Sequence, residues 1–242
     1  MNKLPADLMA SVRRHLSNRD TKPRPVLPDG RGTLKVTAFD GVAEVLLFDE
    51  IGWYGIRAED VIHQLADVTA TTINLRINSP GGDVFDGVAI MNALADHPAT
   101  VNVTVDGLAA SAASFIAMAG DTITMNRGAQ MMVHDASGLC IGNASDMREM
   151  VDLLDRISNT IAALYAERAG GSVEDWRATM RAETWYSAPE AVTAGLADQA
   201  VGPASEGMAA ASIAASFDLT CFLYAGRGHA PAPALNRVSP AP

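Results

Sequence analysis

Between residues 42 and 201 the chain switches repeatedly between two hydrophobic periods. Val42–Phe48, Thr72–Asn78, Thr100–Val105, Thr122–Met125 and Gln130–His134 are short runs rich in Val, Ile, Thr and Met, and are expected as strands. Ala58–Val68 places Val61, Ile62, Leu65 and Val68 three and four residues apart, which predicts a helix, and Phe85–Ala95 predicts a second. A long helix is expected over Ser145–Ala169, where Met147, Met150, Val151, Leu154, Ile157, Ile161 and Tyr165 keep the same spacing until Gly170-Gly171 stops it. Ser187-Ala188-Pro189-Glu190 reads as a capping box with proline in the first turn, and so starts another helix. Strands alternating with helices predict an α/β domain with mostly parallel pairing.

Charge and composition divide the 242 residues into three parts. Residues 1–35 hold eight Lys/Arg and three Asp, a charge of +5, while the whole chain is −10, so the rest is −15. With Pro5, Pro23, Pro25 and Pro28, this segment is expected as a basic flexible arm, with a short helix near Leu8–Leu16. Residues 36–202 form the expected folded domain. Residues 203–242 are rich in Ala and Pro and are expected as a flexible tail; its apolar interruption, Phe217–Tyr224, docks either on the body or on a partner. The acidic balance argues against a nucleic-acid binder. No apolar run reaches the ~20 residues of a membrane span, and no secretory signal is visible. Cys140 and Cys221 form no metal-like or redox-like pair, so an intracellular, cytoplasmic setting is expected.

Small side chains gather where chemistry is expected. In Val101–Ala117 a strand turns through Gly107 into a helix whose first turn contains Ser111, flanked by Ala109, Ala110, Ala112 and Ala113. A serine there lies beside backbone N–H groups without intrahelical partners, which can stabilise an oxyanion. The competing view is a capping serine in a packed Ala-rich helix. A hydroxyl nucleophile needs a base. His134, at the end of a strand, is the best placed of five histidines; His15 and His229 lie in the tails, His63 among apolar helix positions and His97 before Pro98. An acid to orient the imidazole comes from Asp135, Asp121, Glu183 or Asp198. Asp135 would leave an extended strand on the opposite face, and Glu183 lies at a semi-buried junction before Ser187. The turn Asn78-Ser-Pro-Gly-Gly-Asp83 allows close approach of a peptide backbone. It lacks the dinucleotide fingerprint, and the chain has no phosphate-binding loop.

Four of these segments, in order, resemble the Clp-type serine peptidases, the ClpP family, from about Val42 to Val201. They are Ile77-Asn-Ser-Pro-Gly-Gly82, Gly107-Leu-Ala-Ala-Ser111, Met132-Val-His134, and Ser187-Ala-Pro-Glu-Ala-Val192 with Gly195-Leu-Ala-Asp198. The resemblance implies a ClpP/crotonase-like core of repeated β-β-α units in a superhelix, with the long helix serving oligomerisation. It implies Ser111 as nucleophile, His134 as general base, and an oxyanion hole from the Ala112 N–H and the Gly81-Gly82 turn, Gly82 above all. Four residues before Ser187, where the family has aspartate, this chain has Glu183, which the resemblance makes the third member. No cofactor and no metal are implied.

Gly52-Trp-Tyr-Gly55, Asp83-Val-Phe-Asp-Gly87, Asp106–Ser114 and Ala182-Glu-Thr-Trp-Tyr186 are similar to the phage and prophage head maturation (prohead) proteases of that family. This branch implies a homo-oligomer that cleaves scaffold or capsid precursor inside the phage prohead, in the bacterial cytoplasm, without its own ATPase. Two other classes compete with this one. A crotonase-like acyl-CoA enzyme needs no Ser/His pair, and a non-catalytic capsid assembly protein leaves that pair without a role.

Overall fold

The computed structural model describes residues 33–52, 55–202 and 217–234. The expected arm up to residue 32, including its short helix, lies outside them, as do Trp53, Tyr54, residues 203–216 and residues 235–242.

Alternation along the strands builds the core. In β2 (Val42–Phe48) Ala43, Val45 and Leu47 are buried, in β3 (Thr72–Ser79) Ile73, Leu75 and Ile77, and in β4 (Thr100–Ala110) Val101, Val103 and Val105. These residues share one face of the sheet. Onto it pack α1 (Ala58–Ala66), α2 (Val84–Ala95), α3 (Ala112–Ala117) and parts of α4 (Ala144–Ala169), α5 (Val173–Arg181) and α6 (Ala188–Thr193), in a single apolar cluster. The other face is polar along β3 and along β4 up to Asp106. Arg76 grips Asp106 through two bonds of 2.9 and 2.6 Å, and Asn126 donates to the same carboxylate.

Parallel pairing dominates, as expected. Strands β2 and β3, β3 and β4, and β4 and β5 (Thr122–Met125) pair in parallel, and β5 pairs in parallel with β8 (Gln199–Ala200). Two pairs are antiparallel. Strand β1 (Thr33–Phe39) runs back along β2, so the sheet begins inside the segment expected as arm. Strand β7 (Thr184–Ser187) runs back along β6 (Gln130–Val133).

The sequence pattern ended the fourth strand at Val105, but β4 continues to Ala110 because it changes partner midway. Asn102–Val105 pair with β5, and Leu108–Ala110 pair with β6. Beyond Gly107 the formerly polar face becomes apolar. Leu108, Ala110, Met132 and Trp185 form a second buried cluster there, closed by Leu219 with Phe217, Phe222 and Tyr224. Full burial of a side chain such as Leu108 or Met132 contributes about 1.5–3 kcal/mol. Of the two docking alternatives for Phe217–Tyr224, the structure shows the body, so this part of the expected flexible tail is packed.

Helix α5 has no counterpart among the expected elements, although Val173, Trp176 and Met180 keep helical spacing. Its legible signal is the capping box of Ser172 and Asp175. The long helix matches its expected bounds within one residue. Its buried positions, Ser158, Ile161, Ala162 and Tyr165, all lie in its second half, whereas Met147, Val151 and Leu153 are exposed.

Candidate active site

The two changes of partner around β6 assemble the site. Parallel register sets Ala110 beside Met132, and the Ser111 N–H donates to the Met132 carbonyl at 3.0 Å. Antiparallel register sets Val133 beside Thr184, so one step further along lie His134 and Glu183. Side chains alternate faces, so His134 shares the face of Met132, and Glu183 that of Trp185. Residues 111, 134 and 183 thus meet although 23 and 49 positions separate them.

Ser111 occupies the junction of β4 and α3 as the cap residue, one position before the first helical turn where it was expected. Its backbone is at φ 53°, ψ −123°, a left-handed conformation costly for a residue with a Cβ. Glu183 is also left-handed, at φ 47°. Strain of this kind persists where surrounding structure enforces it. From the junction the Ser111 hydroxyl lies 2.7 Å from His134 Nε2. Ser114, three residues on, is fully buried and bonded to the Tyr165 hydroxyl at 2.7 Å and to the Ser111 carbonyl.

The glycine turn abuts this junction. A Cβ on Gly81 would stand 2.5 Å from the Ala110 oxygen and 2.7 Å from both Ala112 N and Ser111 Cβ. The turn is stitched to a neighbouring loop: Ile51 N–H donates to the Gly81 carbonyl, and Asp83 N–H to the Ile51 carbonyl. Gly81 N–H donates to Ser79 Oγ. Among the described residues, the Gly82 and Ala112 N–H groups have no backbone acceptor.

Of the four candidate acids, three have structural duties. Asp135 forms a two-point ion pair with Arg177, which also holds Asp155 and Asn159 of α4. Asp121 accepts the Val101 N–H, and Asp198 accepts the Ile123 N–H and pairs with Arg168. Glu183, 9% exposed, accepts three N–H groups instead. Trp185 Nε1 (3.1 Å) and Tyr224 N (2.9 Å) donate to Oε1, and Leu223 N (2.7 Å) to Oε2. Among the described residues no hydrogen bond joins Glu183 to His134. The carboxylate acts on the imidazole through its charge.

Burial pushes the His134 pKa below its ordinary 6.5, and the charges of Glu183 and Asp135 pull the other way without restoring it. A general base must be neutral, so the acid limb of a pH profile is expected below pH 6.5. Measuring kcat/KM on a peptide between pH 4 and 9 checks this; a midpoint at or above 6.5 contradicts it.

A profile of the Clp protease family matches residues 42–204, which span all but the first strand of the sheet and every residue of the site. The chain belongs to the Clp protease family. Proteolytic subunit 3 of the ATP-dependent Clp protease of Streptomyces coelicolor is 32% identical over 183 residues, covering 70% of this chain and 84% of that protein. Proteolytic subunit 2 of the ATP-dependent Clp protease of Rhodococcus jostii is 30% identical, covering 69% and 91%. This Clp-family chain is a serine-type peptidase. Its fold combines a mixed sheet with helices, and among the described residues no helix is long and apolar enough to cross a membrane.

Two sets of contacts in this Clp-family chain had not been read from the sequence. Arg177 links α5 to the residue after His134, and the segment Phe222–Tyr224 reaches the site from the far end of the chain. A lone apolar run inside an Ala/Pro tail was the available signal for the second.

Proposed function

We propose that Ser111, His134 and Glu183 are the catalytic residues of a ClpP-type endopeptidase. The observation that carries this is the 2.7 Å contact of His134 Nε2 with a hydroxyl held at a strained strand-to-helix junction. Nε2 takes the hydroxyl proton as Ser111 Oγ bonds to the scissile carbonyl carbon. The oxyanion so formed receives the N–H groups of Ala112 and Gly82, beside the close-packed Gly81. The C–N bond then breaks, and His134 returns its proton to the leaving amine. Water repeats the sequence on the acyl-enzyme and releases Ser111. Glu183 favours the tautomer with the proton on Nδ1 and stabilises the imidazolium. The glycine turn also offers backbone for an extended polypeptide substrate.

A fluorophosphonate probe is expected to label the protein on Ser111. Ser111→Ala should abolish labelling, and labelling that persists would overturn the assignment.

For the biological role, the stretches similar to prohead proteases support cleavage of scaffold or capsid precursor. The exposed Met147, Val151 and Leu153 of α4 support a homo-oligomer formed through that helix. The relatives are named as subunits of ATP-dependent proteases, which favours a second reading, a proteolytic subunit fed by an unfoldase. Co-expression with a capsid precursor, wild type against Ser111→Ala, separates the two. Cleavage without any ATPase supports the capsid role, and cleavage only when an unfoldase is supplied supports the second.

A further inference from the structure

The C-terminal segment is built against the acid and the base, and its contacts are specific. The backbone N–H groups of Leu223 and Tyr224 donate one to each oxygen of Glu183. The Phe222 ring stands edge-to-face with His134, with ring centres 5.5 Å apart at 83°, and with Trp185 at 6.0 Å and 78°. The segment is anchored on both sides of these contacts. Before them, Leu219 is 5% exposed in the second cluster. After them, Arg227 makes a two-point pair with Glu190 at 2.6 Å each, and its N–H donates to Gln130 Oε1 at 2.8 Å. Burial opposes ionisation of Glu190, but Arg227 and Ser187 hold its carboxyl down at about 2.

Glutamate here carries one more methylene than the aspartate of the related motif, and so one more freely rotating bond to be fixed. Among the described residues, Oε1 accepts from two donors, whereas Oε2 accepts from one and keeps a lone-pair direction. Among the described residues, no hydrogen bond or ring contact runs from the segment to Ser111 or to the glycine turn.

We infer that Leu223, Tyr224 and Phe222 are positioning residues of the catalytic centre: their two N–H groups and one ring fix the Glu183 carboxylate against His134, so that the C-terminal segment is a working part of the peptidase. The inference rests on the Ser111–His134–Glu183 reading above.

The test compares the full chain with Leu223→Pro, which deletes the N–H bound to Oε2, and with Arg227→Ala, which loosens the anchor without touching residues 222–224. Each is made alone and together with Glu183→Ala. The rate of fluorophosphonate labelling and the kcat and KM for a peptide are measured. Leu223→Pro is expected to slow labelling and lower kcat about ten-fold or more, the effect of losing one hydrogen bond to a charged group, with KM unchanged. Arg227→Ala should act in the same direction. In the Glu183→Ala background neither change should cost more than about two-fold.

Three results would overturn the inference: wild-type labelling by Leu223→Pro, faster labelling (a segment that covers the site), or the same loss in both backgrounds (general damage to the fold). Failure of the underlying reading looks different. There, the unmodified chain is not labelled on Ser111, or Glu183→Ala alone labels at the wild-type rate.

Discussion

Replacing His134 with alanine is expected to lower peptide turnover by roughly a million-fold, as loss of the base does where a serine, a histidine and an acid work as a unit. A factor of that size is about 8 kcal/mol of barrier. It is large because the serine hydroxyl is a poor nucleophile while protonated, and Nε2, 2.7 Å away, is the only ring nitrogen bonded to Ser111 among the described residues. The fold should survive. Strand β6 is held through its backbone by β4 on one side and β7 on the other, and His134 lies just beyond its last residue. Turnover of a fluorogenic peptide, with thermal unfolding of the same preparation, checks both halves. Activity within ten-fold of wild type would move the base elsewhere.

Gly81→Ala should also cost much of the activity, by a different route. The added Cβ would meet the Ala110 oxygen at 2.5 Å and Ala112 N and Ser111 Cβ at 2.7 Å. All three atoms belong to or adjoin the segment that presents the nucleophile, so no flexible side chain can yield. At φ +89° alanine is also strained in its own backbone, which costs about 1–3 kcal/mol. Either the turn or Ser111 must move by a large fraction of an ångström. Misplacing one oxyanion donor alone costs about 100- to 1,000-fold in kcat. The expected outcome is a soluble protein with a melting temperature lower by several degrees and a labelling rate lower by at least that factor. Labelling at the wild-type rate would show that Gly81 does not set the position of Ser111.

The legible and illegible parts of the site differ in a consistent way. Ser111 and the Gly81-Gly82 turn could be singled out because each sits in a local pattern: a strand, a few small residues, then a helix. His134 was legible as a strand end. Glu183 was one of four acids until the resemblance selected it, because nothing in its own neighbourhood distinguishes a carboxylate facing imidazole from one facing a backbone N–H. The contacts that separate them, Asp135 with Arg177, Asp121 with Val101 and Asp198 with Ile123, each span 20 to 75 residues. The same holds for β7 and α5, which are short runs held by pairing with β6 and by packing against α4.

By itself, the sequence determined the local elements, the alternation that buries one face of the sheet, the glycine turn and the small residues around Ser111. All of these depend on backbone preferences and on neighbours a few residues away. Only the tertiary structure decided that β4 exchanges β5 for β6 at Gly107, and that the β6–β7 register sets His134 beside Glu183. It alone placed the Leu223 and Tyr224 N–H groups, 40 and 41 residues along the chain, on that carboxylate. A buried carboxylate must find donors wherever the assembled sheet leaves them, and that choice is made by packing across the whole chain.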